Sequence, residues 1–381
     1  MNALLMGYYG GRNLGDEMML FCLQRWLGAQ NVELTVLTEA AGDVERRHGI
    51  AAVENVPLMG EWAWRDAWLR GKARRVLAAI FRHDALIIGG GDLIRDDGGW
   101  KPFFFAFEKI VVALLLRRKV YLVNIGIGVP TTRYGRFLLK RVLPRCTRII
   151  ARDQRTFDLC HELGAGRITE YLPDIVLSLP QLLDCDTGEP PSPRPYVVVC
   201  LRTEAHAFKQ FAWTEGCVRT LASGLDRLVD DHDLDVVFLP FQGLVGAADD
   251  NRIHQEVASR MRHGERITIR PWTDSLTNVS QVVRGAACVI AMRLHAAVLA
   301  CALDRPCVLI PYDHKVGEFG RQMGLQHEIT AETLENPMAL ARVLEAGLAS
   351  APARRIPARS HLWTTLTLVG PAIEPMPISC T

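Results

Sequence analysis

The sequence predicts a two-domain α/β protein, each domain a Rossmann-like parallel sheet with helices on both faces. Short apolar runs such as ALIIGGG and YVVVCLR alternate with helical stretches along the chain. These runs lack the polar alternation of a sheet with one wet face, so they read as strands buried on both sides and joined by helical crossovers. At 381 residues the chain can bury two cores of ordinary size. Near its middle, the Pro-dense stretch CDTGEPPSPRP interrupts the alternation.

In chain order, the first half offers strands at ALLMGYY, VELTVLT, ALIIGGG, VYLVNIG and RIIARD, and the second at YVVVCLR, DVVFLPF, RITIRPW, CVIAMRL and PCVLIPY. Helices are expected at EMMLFCLQRWLG, FLLKRVLPRC, RTFDLCHELG, CVRTLASGLDRLVDDH and HQEVASRMRHG. The run from Phe103, FFFAFEKIVVALLLRRKV, contains Glu108 and Lys109. It therefore falls short of the ~20 uninterrupted apolar residues a membrane span needs. It reads as a buried helix ending at the Arg117-Arg118-Lys119 cluster, since cations suit a helix C-terminus. The expected division is residues 1–184, a linker at 185–195, a second domain at 196–350, and a Pro-rich tail at 351–381 that either packs back on the first domain or stands apart.

A formal charge of +2 argues against a general nucleic-acid footprint. The ten cysteines include no C-x-x-C pair and no Cys/His group at metal spacing, and most sit in apolar runs. They read as reduced core thiols of a cytoplasmic protein. MNALLMGYYGG lacks a basic n-region and reads as a first strand rather than a signal peptide. Residues 61–75 place Trp64 and Trp68 one turn apart among Arg65, Arg70, Lys72, Arg74 and Arg75. A basic helix with aromatic anchors is a candidate for peripheral contact with an anionic membrane. The alternative is a solvated helix whose tryptophans pack inward.

Several loops carry chemistry. In GYYGGRNLGDE the glycines do not fall in G-x-G-x-x-G, and Asp16 and Glu17 bring negative charge to the start of the next helix, where a phosphate would otherwise bind. The loop suits hydroxyls better: Asn13 and Asp16 can hydrogen-bond a sugar, and Asp16 can accept its proton. A purely capping role for Asp16 is the other reading. The GGGD turn, Gly89 to Asp92, lets backbone approach a ligand at the carboxyl edge of a sheet, or serves only the turn. Gly126 and Gly128 present the same choice. Arg152 ends a strand where Asp153 opens a helix. The most informative stretch is Met292-Arg293-Leu294-His295 with Lys315 beyond it. It joins a bidentate anion binder, a point charge and a proton carrier that works near neutral pH. The bland reading is a surface Arg and a satisfied core His.

These segments, in this order, resemble the polysaccharide pyruvyltransferase family over about residues 3–325: GYYGGRNLGDE, LIIGGGDLIRDDGG, NIGIGVP, ARDQRTFDLCHELG, PDIVLSL, VVVCLR, AMRLHAAVLA and PYDHKVGEFGRQMG. The resemblance implies a GT-B-like architecture, two domains facing a cleft, with acceptor binding in the first and donor binding in the second. It implies phosphoenolpyruvate as co-substrate and a saccharide, lipid-linked or polymeric, as acceptor, with no metal or redox cofactor. By the resemblance, His295 is the catalytic acid and Asp16 the base, and Arg202, Arg293, Leu294 and Lys315 bind the donor. The acceptor set is Asn13, Gly15, Glu17, Gly90, Gly91, Asp92 and Arg152. VCLRTEAHAF departs from the family's commonest form after the Arg, which bears on the acceptor side. A GT-B glycosyltransferase using a sugar nucleotide and a non-catalytic carbohydrate-binding relative are the competing readings.

Overall fold

The computed structural model describes residues 1–58, 68, 70–95, 100–128, 132–183, 192–203, 212–243, 249–352, 363, 367 and 368. The chain divides into two compact units. One comprises Met1–Gly11, Met19–Ile175 and Pro357–Thr381, the other Arg12–Met18 and Val176–Ile356.

The first unit holds β1 (Asn2–Met6), β2 (Glu33–Thr38), β3 (Ala52–Glu54), β4 (Ala85–Ile94), β5 (Lys119–Ile127), β6 (Arg148–Ala151) and β7 (Thr169–Tyr171) in a sheet of order β3-β2-β1-β4-β5-β6-β7. Every pairing is parallel. The second holds β8 (Tyr196–Cys200), β9 (Asp235–Phe238), β10 (Ile267–Ile269), β11 (Cys288–Ala291) and β12 (Cys307–Leu309), ordered β10-β9-β8-β11-β12 and likewise parallel. The ten expected strands are all present. The two additional ones, β3 and β7, are three-residue edge strands. Each carries a glutamate, unlike the equally short edge strands β10 and β12, which are wholly uncharged.

The helix Trp100–Leu115 is the buried crossover expected from Phe103 onward, but its two charges do not face water. Glu108 and Lys109 are both buried and ion-paired. Glu108 also accepts the Leu58 N–H at 2.8 Å, and the Lys109 ammonium sits 4.0 Å from the Phe105 ring centroid. Burying that pair with its donors satisfied is what the core tolerates. Among the described residues, no helix is long and apolar enough to cross a membrane. The eight described cysteines are free and buried, and burial pushes the Cys146, Cys160, Cys288 and Cys301 thiols up to about 12. They are inert core groups, as expected.

Two boundaries differ from the sequence-based division. Residues 12–18 group with the second unit, because backbone bonds tie them there: Leu14 N–H to the Phe241 carbonyl at 2.8 Å, Gly243 N–H to the Arg12 carbonyl at 3.0 Å, and a bridge between Asn13 and Gln242. Such pairing is invisible to a local reading. The change of unit falls between Ile175 and Val176, ahead of the Pro-dense stretch, of which residues 185–191 lie outside the described residues. Of the stretch 61–75, residues 61–67 and 69 also lie outside them. Trp68 is half-buried against the first core, with its indole N–H 3.4 Å from the Leu58 carbonyl.

Residues from the C-terminal stretch pack in the first unit. Trp363 is 2% exposed, meets Trp26 edge-on at 5.2 Å, and donates its indole N–H to the Pro173 carbonyl at 3.0 Å. Arg148, bidentate to Glu170, also donates to the Thr367 carbonyl at 2.6 Å. We expect Trp363→Ala to cost about 3–5 kcal/mol in chemical denaturation of the first unit. A loss below about 1 kcal/mol would show that the tail contributes no core.

Candidate active site

In the second unit, two sequence motifs meet. Asn13 precedes the helix Leu14–Gly28, and its side-chain oxygen accepts the Gly15 N–H at 3.0 Å. Asn13 thus takes the capping role, and Asp16, half-buried in the first turn, is not the cap. Gly15 lies against His295 so closely that any Cβ would overlap the imidazole. Glycine is needed here for close approach. Glu17, expected on the acceptor side, is buried, with 1% of its surface exposed.

Arg293 follows β11 and sits at the N-cap of the helix Leu294–Ala302, which carries His295 in its first turn. The guanidinium is not open to a ligand on all sides. Its Nε donates to Asp250 Oδ2 at 3.1 Å and its Nη2 to Oδ1. Asp250 is completely buried and also accepts the N–H groups of Phe241 at 3.1 Å and Gln242 at 2.9 Å. Burial pushes the Asp250 carboxyl up, against the opposing pull of Arg293 and those N–H groups. Arg293 therefore faces any ligand with its Nε and Nη2 already engaged by Asp250.

Behind this pair, His254 is buried. Its Nε2 accepts the Leu201 N–H at 3.1 Å, so Nδ1 is the protonated nitrogen and donates to Asn251 Oδ1 at 3.0 Å. Burial first, and the Arg293 charge second, lower its pKa to about 3.

Arg202 leaves the end of β8. Its Nη1 donates to the Tyr312 hydroxyl at 3.0 Å and the guanidinium stands 5.2 Å over the same ring, while its carbonyl accepts the Trp213 indole N–H at 2.9 Å. Lys315 opens the helix His314–Met323, its Nζ 3.7 Å from the buried carboxylate of Asp313. The second unit thus contains Asn13, Gly15, Asp16, Arg202, Arg293, Leu294, His295 and Lys315.

Glu17 also falls in the second unit, while Gly90, Gly91, Asp92 and Arg152 lie in the first. Gly90 and Gly91 adopt φ of 70° and 84° within β4, a conformation glycine takes without strain. Arg152 is buried, 2.6 Å from Asp92 and 3.6 Å from Asp174. Burial works against its charge, and Asp92, Asp174 and Asp153 outweigh it and raise its pKa. Asp153 is the helix cap, accepting the Thr156 N–H at 2.7 Å. Gly126 leaves the space that Asp92 fills. Arg152 therefore orders Asp92 and does not reach out from the strand end. Asp250, His254, Tyr312 and Gln242 were not singled out from sequence. Tyr312 lies inside the PYDHK segment, whereas Asp250 reads only as a polar residue before a helix. Among the described residues, no group of three His, Cys, Asp or Glu side chains is placed to hold a metal ion.

Two parallel-sheet α/β units define a GT-B-fold protein, and solved structures of that fold match nearly the whole chain. A putative UDP-N-acetylglucosamine 2-epimerase from Listeria monocytogenes matches with TM-score 0.64 at 12% identity, over 95% of this chain and 94% of its own. The UDP-GlcNAc 2-epimerase from Methanocaldococcus jannaschii matches with TM-score 0.60 at 12% identity, over 96% and 98%. A glycosyltransferase from Rickettsia africae gives 0.55 at 13% identity, over 96% and 93%. Identities this low speak for the fold alone. A search among curated proteins gives no match. The family model described as polysaccharide pyruvyl transferase matches residues 13–314, which include every site residue of the second unit except Lys315, one residue beyond the match. The chain belongs to the polysaccharide pyruvyl transferase family.

His254 generates a pH prediction. Its folded pKa of about 3 lies below that of the unfolded chain, so the unfolded state takes up a proton first as pH falls. Its share of stability is intact above about pH 6.5 and is lost progressively toward pH 3, about 2 kcal/mol by pH 5. Denaturation of the second unit at pH 7 and pH 5 should show this drop, and His254→Asn should reduce it. An unchanged slope in the variant would place the proton elsewhere.

Proposed function

We propose that this protein transfers the pyruvyl group of phosphoenolpyruvate to two hydroxyls of one saccharide, forming a cyclic pyruvate ketal and releasing phosphate, in the synthesis of a cell-surface or exported polysaccharide. The observation that supports this most directly is the contact of Gly15 with His295, which brings the Asn-x-Gly-Asp loop against the Arg-x-His helix start. A hydroxyl-binding loop and a proton carrier within one unit are what the reaction requires.

In this reading Arg202, oriented by Tyr312, and Lys315 take the charges of phosphoenolpyruvate, with the remaining donor of Arg293 and the N-terminal turn of the helix Leu294–Ala302. His295 delivers a proton to carbon 3, carbon 2 becomes electrophilic, and the first hydroxyl adds there as Asp16 takes its proton. The bond from carbon 2 to the phosphate oxygen breaks, and the second hydroxyl closes the ring. Of the two hydroxyl protons, one replaces that given to carbon 3 and the other leaves with phosphate. The first unit, with Gly90, Gly91 and the Asp92–Arg152 pair, supplies acceptor contacts in this reading. The site faces the cytoplasm, where phosphoenolpyruvate is available.

Incubation with phosphoenolpyruvate and candidate saccharides should release phosphate and add the pyruvyl mass to the sugar. Cleavage of a UDP-sugar with no phosphate from phosphoenolpyruvate would instead support a glycosyltransferase. His295→Gln keeps a hydrogen-bond donor but has no titratable proton, so it should bind phosphoenolpyruvate while turnover falls on the order of 10²–10⁴-fold. Turnover near the wild-type rate would assign the acid elsewhere. Tyr312→Phe should raise KM for phosphoenolpyruvate more than it lowers kcat, because it loosens Arg202 without removing its charge. An unchanged KM would contradict the orienting role.

A further inference from the structure

Among the described residues, five large apolar side chains stand exposed on three crossovers of the first unit: Phe81 at 59%, Leu115 at 77%, Leu116 at 36%, Tyr134 at 54% and Phe137 at 50%. The crossovers contain the helices Lys72–Arg82, Trp100–Leu115 and Arg133–Val142. They run β3 to β4, β4 to β5 and β5 to β6, always in the same direction along the sheet, so right-handed connections put all three helices on one face. Their inner sides share a single core layer through Val76, Ile80, Phe107, Ile110 and Leu139. Their outer sides therefore form one surface.

Charge is segregated onto that surface. Residues 70–82, 115–119 and 133–145 contain thirteen of the chain's 44 Lys and Arg residues and none of its 42 Asp and Glu residues, although the net charge of the whole chain is +2. Lys72 and Arg136 are engaged by Glu54 and Glu162 from neighbouring segments. Arg75, Arg82, Arg117 and Lys140 are exposed. The guanidinium of Arg118 stands 5.0 Å over the Phe81 ring and that of Arg141 stands 4.8 Å over Phe137, so cations and aromatics are interleaved.

We infer that this face docks on a lipid bilayer surface containing anionic lipid. The core of a protein–protein interface is depleted of charge, whereas here the exposed Phe81 and Phe137 rings each have an arginine against them. Aromatic side chains that enter the headgroup layer among Lys and Arg suit an anionic bilayer surface, where electrostatic attraction and shallow apolar insertion add. The contact is peripheral in kind and extends well beyond residues 70–75, the described part of the stretch singled out in the sequence. It does not depend on which reaction the protein catalyses.

The test is co-sedimentation of the full chain with vesicles of phosphatidylcholine alone and of equal parts phosphatidylcholine and phosphatidylglycerol. Binding is expected to the anionic vesicles only and to weaken as salt rises. Phe81→Ser/Phe137→Ser and, separately, Arg75→Glu/Arg117→Glu/Lys140→Glu should each reduce it about tenfold or more while keeping wild-type circular dichroism. Equal binding to neutral vesicles, no binding to either, or wild-type binding by both variants would overturn the inference. So would self-association in ultracentrifugation that the Phe81→Ser/Phe137→Ser variant abolishes, because it would seat a second copy of the chain on this face.

Discussion

The buried carboxylate of Asp250 is the constraint on which the second unit's site depends. It has no exposure to water, and burial disfavours its charge, so its four contacts must come from the protein: two from the Arg293 guanidinium and one each from the N–H groups of Phe241 and Gln242. Those bonds fix residues 241–243, whose backbone pairs with residues 12–14. The pairing sets Gly15 under His295. One ion pair thus orders the arginine at the head of the helix Leu294–Ala302 and also the loop that enters from the far end of the sequence.

Arginine serves three different ends here. Arg152 is enclosed by Asp92 and Asp174 in the first unit and orders a strand end. Arg293 shares its charge with Asp250 and organises the second unit's loop. Arg202 is held by a neutral phenol, through a hydrogen bond and through stacking on the ring. Equal charges at strand ends are not equal in function, because the partner decides how much of each field reaches a ligand.

Much of this was legible in the sequence, for identifiable reasons. Strands buried on both faces leave uninterrupted apolar runs, and these revealed ten strands, including the three-residue edge strands β10 and β12, whereas β3 and β7, equally short, each carry a glutamate that breaks the run. The Asn-x-Gly-Asp and Arg-x-His motifs could be picked out because loops with unusual residue types stand out locally. Their meeting could not, since Gly15 and His295 are far apart in the chain. The compensation of Arg293 was hidden for the same reason, as nothing about Asp250 distinguishes it from an ordinary helix-start aspartate until Phe241, Gln242 and Arg293 surround it. The burial of Glu17 was likewise not legible, because it comes from tertiary packing and not from its place at a helix start.

A double-mutant cycle on unfolding of the second unit tests the dependence on Asp250 most directly. Asp250→Asn and Arg293→Gln each strand a buried partner and should each cost about 3–5 kcal/mol, while the double variant should lose far less than their sum. Additive losses would contradict the account, because they would mean that the two side chains stabilise the unit independently and that the loop at residues 241–243 is held by something other than their pairing.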